Sequence, residues 1–328
     1  MKKNNLKFIS PIWLMSSERS GSNLITKILD NHTKICAPVI SYLIRFVSKI
    51  SSSSLTNSKK KLLIKKLFNS KIGIWKLKNL NNIKFSGNLF EYIYSIFSKE
   101  IKLNKKEFLF IKENKFYKNY KTIKKLSNNP RFIFLTRDPR DMALSWKRTP
   151  NLRGGVYRAT NEWLNDQKNF FNLKRKLSRN QFINISYEDL TKKKEITLKK
   201  ILKFLNIKFE KNIFNFYKKK QTQKISESQW GWNNLSKPIF NNSKKFLKEL
   251  NNNEITYIEF KTSKLLKKYK YKIYKNKIDQ KKFKIIEKEI ISENNKQTNK
   301  KEYLKRPKNE RNRFKKLTKI LNIVTQLD

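Results

Sequence analysis

The stretch Ser16-Ser17-Glu18-Arg19-Ser20-Gly21-Ser22-Asn23-Leu24 has the composition of an anion cradle. Gly21 allows the backbone to turn tightly and bring several N–H groups toward one point, and Arg19 adds a full positive charge. A helix starting just after it would add unpaired N–H donors and the positive end of its dipole. The chemistry that suits such a turn is capture of a phosphate or sulfate group. The pattern lacks the GxxxxGK[ST] form of nucleotide-triphosphate loops, and alone it also fits an ordinary capped helix start.

A second stretch, Leu135-Thr136-Arg137-Asp138-Pro139-Arg140-Asp141, repeats the design. An apolar run ends in Arg137. Pro139 then opens a helix, with acids near its positive end. Ser145 lies eight residues beyond Arg137, so both side chains could face one phosphate. A third stretch, Ser186-Tyr187-Glu188-Asp189-Leu190, ends a run that alternates apolar and polar residues and precedes Leu198, Ile201, Leu202 and Leu205 at helical spacing.

These three segments, in this order, resemble the sulfotransferases that use 3′-phosphoadenylyl sulfate (PAPS). A fainter match runs from Phe246 to Tyr271, so the resemblance spans about residues 11 to 271. It implies a three-layer α/β/α fold with a central parallel sheet, like that of P-loop NTPases. It also implies PAPS as sulfuryl donor and a hydroxyl or amine acceptor, carbohydrate or another small molecule. Arg19 and the segment Ser20, Gly21, Ser22, Asn23 and Leu24 would hold the 5′-phosphosulfate. Arg137 and Ser145 would hold the 3′-phosphate, and Tyr187 would approach the adenine. The Arg-Lys-Gly triplet that often reaches the 3′-phosphate in this family does not stand near residues 229–245.

Elements must position these residues. Ile12 to Met15 fits one buried strand, and Leu24, Ile25, Ile28 and Leu29 fit the helix after the first loop. Phe108 to Ile111 is a second short buried run, ending in Lys112-Glu113-Asn114. The carboxyl ends of parallel strands are where open α/β sheets place their chemistry. Lys112 fits the spacing of a lysine seen in many members of the family, where it would help stabilise the leaving oxygen alongside Arg19. Relatives acting on sugars commonly use a carboxylate base, which nominates Glu113. His32, the only histidine, lies about ten residues past the loop, or roughly 15 Å along a helix. It is therefore expected at a helix end and not as a base.

Residues 40–106 predict helices without evident chemistry. Arg153-Gly154-Gly155 predicts a mobile loop beside the acceptor, and Gln229-Trp230-Gly231-Trp232 has the residue types of a sugar-stacking surface or a local hydrophobic plug. Residues 1–274 are expected to form the sulfotransferase domain and 275–328 a basic helical extension, able to make a weak contact with an anionic membrane surface.

Composition limits the other readings. The formal charge of +53 suggests nucleic-acid binding, yet the excess is almost all lysine and runs the length of the chain. Abundant Lys, Asn, Ile and Phe match an AT-rich codon pool. Only thirteen arginines occur, and Arg131, Arg137, Arg140, Arg148, Arg153 and Arg158 fall within 28 residues. Such clustering implies multidentate anion recognition. The single Cys36 excludes an intrachain disulfide, and no Cys/His cluster suggests a metal. The apolar run near the N-terminus is too short for a signal peptide or a transmembrane helix, so a cytoplasmic enzyme is expected. A small-molecule kinase with a degenerate phosphate loop and a basic nucleic-acid-binding protein stand as alternatives.

Overall fold

The computed structural model describes residues 10–38, 42–69, 75–77, 80–81, 83, 88–149, 152–228, 232–275 and 278–296, with scattered positions from 304 to 322. Five strands form one sheet: β1 (Ile12–Ser16), β2 (Ile35–Cys36), β3 (Phe108–Lys112), β4 (Arg131–Thr136) and β5 (Phe182–Ser186). Their order is β2-β3-β1-β4-β5 and every pairing is parallel. β1 is central, with β3 on one side and β4 on the other. The chain leaves β1 toward one edge and later crosses to the other, which opens a crevice at the carboxyl end of β1.

Thirteen α-helices with described bounds accompany the sheet. They are α1 (Ser22–Asp30), α2 (Leu43–Ser51), α3 (Asn57–Asn69), α4 (Leu89–Asn104), α5 (Tyr120–Lys125), α6 (Pro139–Lys147) and α7 (Gly155–Lys174). Then follow α8 (Tyr187–Lys192), α9 (Lys194–Phe204), α10 (Lys220–Ser228), α11 (Phe246–Glu249), α12 (Asn252–Lys268) and α13 (Gln280–Lys296).

The strand period of two sorts side chains between the faces. Ile12 and Leu14 of β1 pack with Ile25, Ile28 and Leu29 of α1 and with Leu198, Ile201 and Leu202 of α9. Trp13 and Met15 point the other way, onto α2, α3 and α4 through Phe46, Ile64 and Phe97. Two apolar layers on one all-parallel sheet are the expected α/β/α sandwich. A third cluster joins α6, α7 and α12 to α13, whose Phe283, Ile286 and Ile290 are buried. The first helix beyond residue 274 thus packs into the body of the fold.

Local expectations differ in detail. The strand β2 is only two residues long, Ile35 and Cys36, and Pro38 just beyond it cannot donate to a ladder. Gly154 and Gly155, read from sequence as a mobile loop, have φ of 85° and 45° and start α7 with Gly154 as its N-cap. Gln229 to Gly231 of the tryptophan motif, and nearly all of the chain after residue 296, lie outside the described residues.

Candidate active site

The loop after β1 behaves as its composition predicts. Gly21 is the N-cap of α1 with φ of 88°, and a Cβ there would sit 2.3 Å from Cδ2 of Tyr187. Glycine is needed for both reasons: the left-handed backbone and the ring lying against it. Arg19 is also left-handed, with φ of 63°. Its Nε donates to Oγ of Ser145 at 3.0 Å. Burial and the neighbouring Arg137 lower the Arg19 pKa to about 10.

Arg137 ties the two loops together. One terminal nitrogen donates to the Arg19 carbonyl at 2.8 Å and the other to the Asn242 carbonyl at 3.2 Å. Its guanidinium lies 4.3 Å from the centroid of the Tyr187 ring. Its Nε is buried and has no hydrogen-bond partner, and the buried hydroxyl of Ser20 has none either. Buried donors without partners carry a cost that a bound anion would remove. Arg19, Gly21, Arg137, Ser145 and Tyr187, read separately from three segments, therefore converge on one cradle. Ser22, Asn23 and Leu24 form the first turn of α1 behind it.

Lys112, at the end of β3, is buried and donates to Oδ1 of Asn23 at 3.2 Å. Burial lowers its pKa to about 8, with Arg19 adding to the fall and Glu18 and Glu113 opposing it. Glu113 points elsewhere. Its two oxygens accept from the backbone N–H groups of Ile44 (3.0 Å) and Arg45 (3.2 Å), at the start of α2. Burial raises its carboxyl to about 7, and those two hydrogen bonds pull against the rise. His32 is a helix-end residue: Nδ1 accepts from the Lys34 N–H at 3.0 Å, and Nε2 meets the Lys208 carbonyl at 2.8 Å.

A sequence profile of the Sulfotransferase family matches residues 11–211, which contain the whole cradle. This chain belongs to the sulfotransferase family. The fold of this sulfotransferase is similar to that of the sulfotransferase domain from the Synechococcus PCC 7002 olefin synthase, with TM-score 0.59 at 17% identity over 81% of this chain and 96% of that one. It is also similar to the sulfotransferase domain from the curacin biosynthetic pathway, with TM-score 0.53 at 18% identity over 81% and 99% of the two chains. A search of curated protein sequences finds no match to the chain.

The arginine cluster of this sulfotransferase divides by task. Arg137 reaches the loop after β1 through the Arg19 carbonyl. Arg140 is buried between Asp138 and Glu259, and Arg131 donates to the Phe204 carbonyl at 3.3 Å. Arg148 pairs with Glu249. Arg153 and Arg158 line a cavity beside the loop. Sequence reading also missed the segment that stands where a family triplet was sought. Asn242 reaches Arg137 through its carbonyl, while the backbone N–H groups of Lys244 (2.6 Å) and Phe246 (3.2 Å) cap Asp141. Backbone contacts of this kind leave no residue signature.

The cavity holds about 270 Å³ between the end of β1, the end of β3, α6 and α7. Its charged lining is Glu18, Lys115, Arg153, Arg158, Glu162 and Asp166, and Trp146 closes one side. Lys115 pairs with Glu162 at 2.7 Å. Asp166 is 4% exposed and accepts from the Tyr117 hydroxyl at 2.8 Å. Among the described residues no helix is long and apolar enough to cross a membrane.

Proposed function

We propose that this protein transfers the sulfuryl group of PAPS to a hydroxyl or amine acceptor of small, polar character, a sugar or a similar molecule. The observation that carries the donor assignment is the cradle: Arg19, the glycine-capped start of α1, and Arg137 with Ser145, with unpartnered buried donors at Arg137 Nε and Ser20 Oγ. In this reading Ser20 to Leu24 hold the 5′-phosphosulfate by backbone N–H groups, Arg137 and Ser145 hold the 3′-phosphate, and the Tyr187 ring flanks the adenosine. Arg19 and Lys112 stabilise charge on the leaving oxygen, so catalysis rests on positioning and electrostatics. Glu113 is the acid that strand position nominates as base. The mixed-charge lining of the cavity and a volume just under the ~300–1,000 Å³ usual for drug-sized ligands favour a ring-sized polar acceptor.

PAP, the desulfated product, is expected to bind without added metal and to raise the melting temperature. Parallel titrations with ATP plus Mg²⁺ and with duplex DNA separate this reading from a kinase and from a nucleic-acid-binding protein. Binding seen only for ATP with Mg²⁺, or only for DNA, would reject the assignment.

Lys112 adds a pH dependence. Its pKa of about 8 means that it is charged below that pH and neutral above it. PAP affinity is therefore expected to fall by about tenfold or more as pH rises through about 8, the scale of one hydrogen bond to a charged group. Lys112→Arg, which stays charged, should flatten that fall. A fall that survives in Lys112→Arg would assign it to another group.

A further inference from the structure

Sulfuryl transfer frees a proton from the acceptor, and a positioned carboxylate that receives it speeds the step. The acids around the cradle can be sorted by what already occupies them. Glu113 is engaged through both oxygens with α2, and Asp141 with the backbone of Lys244 and Phe246. Asp138 holds Arg140, and Glu188 accepts from the Asp138 N–H and the Tyr271 hydroxyl. Glu162 pairs with Lys115. Glu18 accepts from the Asn114 side-chain amide. Asp166 differs from all of these. It lines the cavity, it is buried, and the side-chain hydrogen bond it accepts comes from a hydroxyl: Tyr117 donates to Oδ1. Ser16, Ser17 and Glu18 run straight into the donor loop, so the cavity opens where the sulfuryl group would lie.

We propose that Asp166 is the catalytic base of this site, receiving the proton of an acceptor seated in the cavity between β1, α6 and α7. The inference rests on the sulfuryl-transfer reading above. In the step, the acceptor oxygen or nitrogen attacks sulfur, and the bond from sulfur to the bridging phosphate oxygen breaks. That oxygen leaves on PAP with the electron pair, and the acceptor proton moves to the Asp166 carboxylate. Tyr117 orients the carboxylate. Its hydroxyl stabilises the charged form of Asp166 without neutralising it as a cation would. Burial raises the Asp166 pKa to about 6, with Glu162 adding to the rise and Tyr117, Ser17 and Lys115 opposing it. The other charges on the cavity wall are Glu18, Arg153 and Arg158. The group is thus ionised and weakly basic at neutral pH.

Water serves as acceptor in the test. The full-length protein is incubated with radiolabelled PAPS alone, and release of PAP and inorganic sulfate is followed from pH 5 to pH 8. Wild type is expected to exceed the uncatalysed rate, with a limb that rises with pH through about 6. Asp166→Asn should lower the rate by about 10²-fold and flatten the limb, with PAP affinity within about twofold of wild type. Tyr117→Phe removes a hydrogen bond to the charged form and should move the limb to higher pH, a readout that a packing role alone would not shift. It also serves if Asp166→Asn fails to fold. An unchanged limb in Tyr117→Phe would overturn the proposal. So would wild-type hydrolysis in Asp166→Asn, a comparable loss confined to Glu113→Gln or Glu18→Gln, or a wild-type rate no greater than background. Failure of wild type to bind PAP is a separate result, and it would remove the donor reading itself.

Discussion

Replacing Arg137 by alanine is expected to weaken PAP binding by about 2–4 kcal/mol, roughly 30- to 1,000-fold in Kd. The same change should weaken adenosine 5′-phosphosulfate, which has no 3′-phosphate, far less. The contrast follows from the free hydrogen-bonding capacity at Arg137. Two of its nitrogens donate to backbone carbonyls, while its buried Nε has no partner. A 3′-phosphate arriving beside it would gain a charge-assisted contact in a site already stripped of water. Isothermal titration of both nucleotides against wild type and Arg137→Ala measures the difference. Equal losses would mean that Arg137 acts by holding the Arg19 carbonyl and the Tyr187 ring in place, and not by touching the nucleotide.

The second large effect concerns stability. Arg140 sits in the same Arg-Asp-Pro-Arg-Asp turn but does different work. It is 1% exposed. Its Nε and one terminal nitrogen donate to Asp138 at 2.9 and 2.6 Å, and the other terminal nitrogen reaches Glu259 and the Lys272 carbonyl. Its guanidinium also lies 4.3 Å from the Phe246 ring centroid. Arg140→Met would leave two buried carboxylates without their cation, which costs about 3–5 kcal/mol. At roughly 2–4 °C per kcal/mol for a large domain, melting should fall by about 6 °C or more. Arg140→Met with Glu259→Leu should recover part of that loss, since one orphaned charge is then removed. A single variant that melts within 2 °C of wild type would show that the triad contributes little net stability.

The two arginines of one short motif thus separate into one that ties together the loops around Arg19 and Asn242 and one that holds the fold through buried carboxylates. Sequence spacing could not make that division. Arg137 and Arg140 are three residues apart on either side of a proline, and both belong to a run whose clustering suggested anion recognition. What assigns Arg140 to the fold is Glu259, 119 residues away in the chain.

What the sequence determined by itself was the local form of the loops. A glycine in a strand-to-helix turn, an arginine beside it and a helix N-terminus are local features, fixed by neighbours within a few residues, and they stand as the spacing predicts. The short apolar runs likewise marked four of the five strands, and the continuous apolar character of β1, β3 and β4 fits a sheet covered on both faces. Tertiary structure decided what long-range contacts decide. Lys112 and Glu113 are adjacent in sequence, yet the strand end turns them apart: Lys112 meets Asn23 of α1, and Glu113 caps α2 across a separation of 69 residues. Asn242 reaches the cradle through a carbonyl, an atom every residue carries. Asp166 stands in the middle of α7 with no motif around it, and only the placing of that helix beside Tyr117 and the end of β1 brings its carboxylate to the cavity. A helix interior reads as core or surface from periodicity; which of its polar residues faces a pocket depends on neighbours that folding alone supplies.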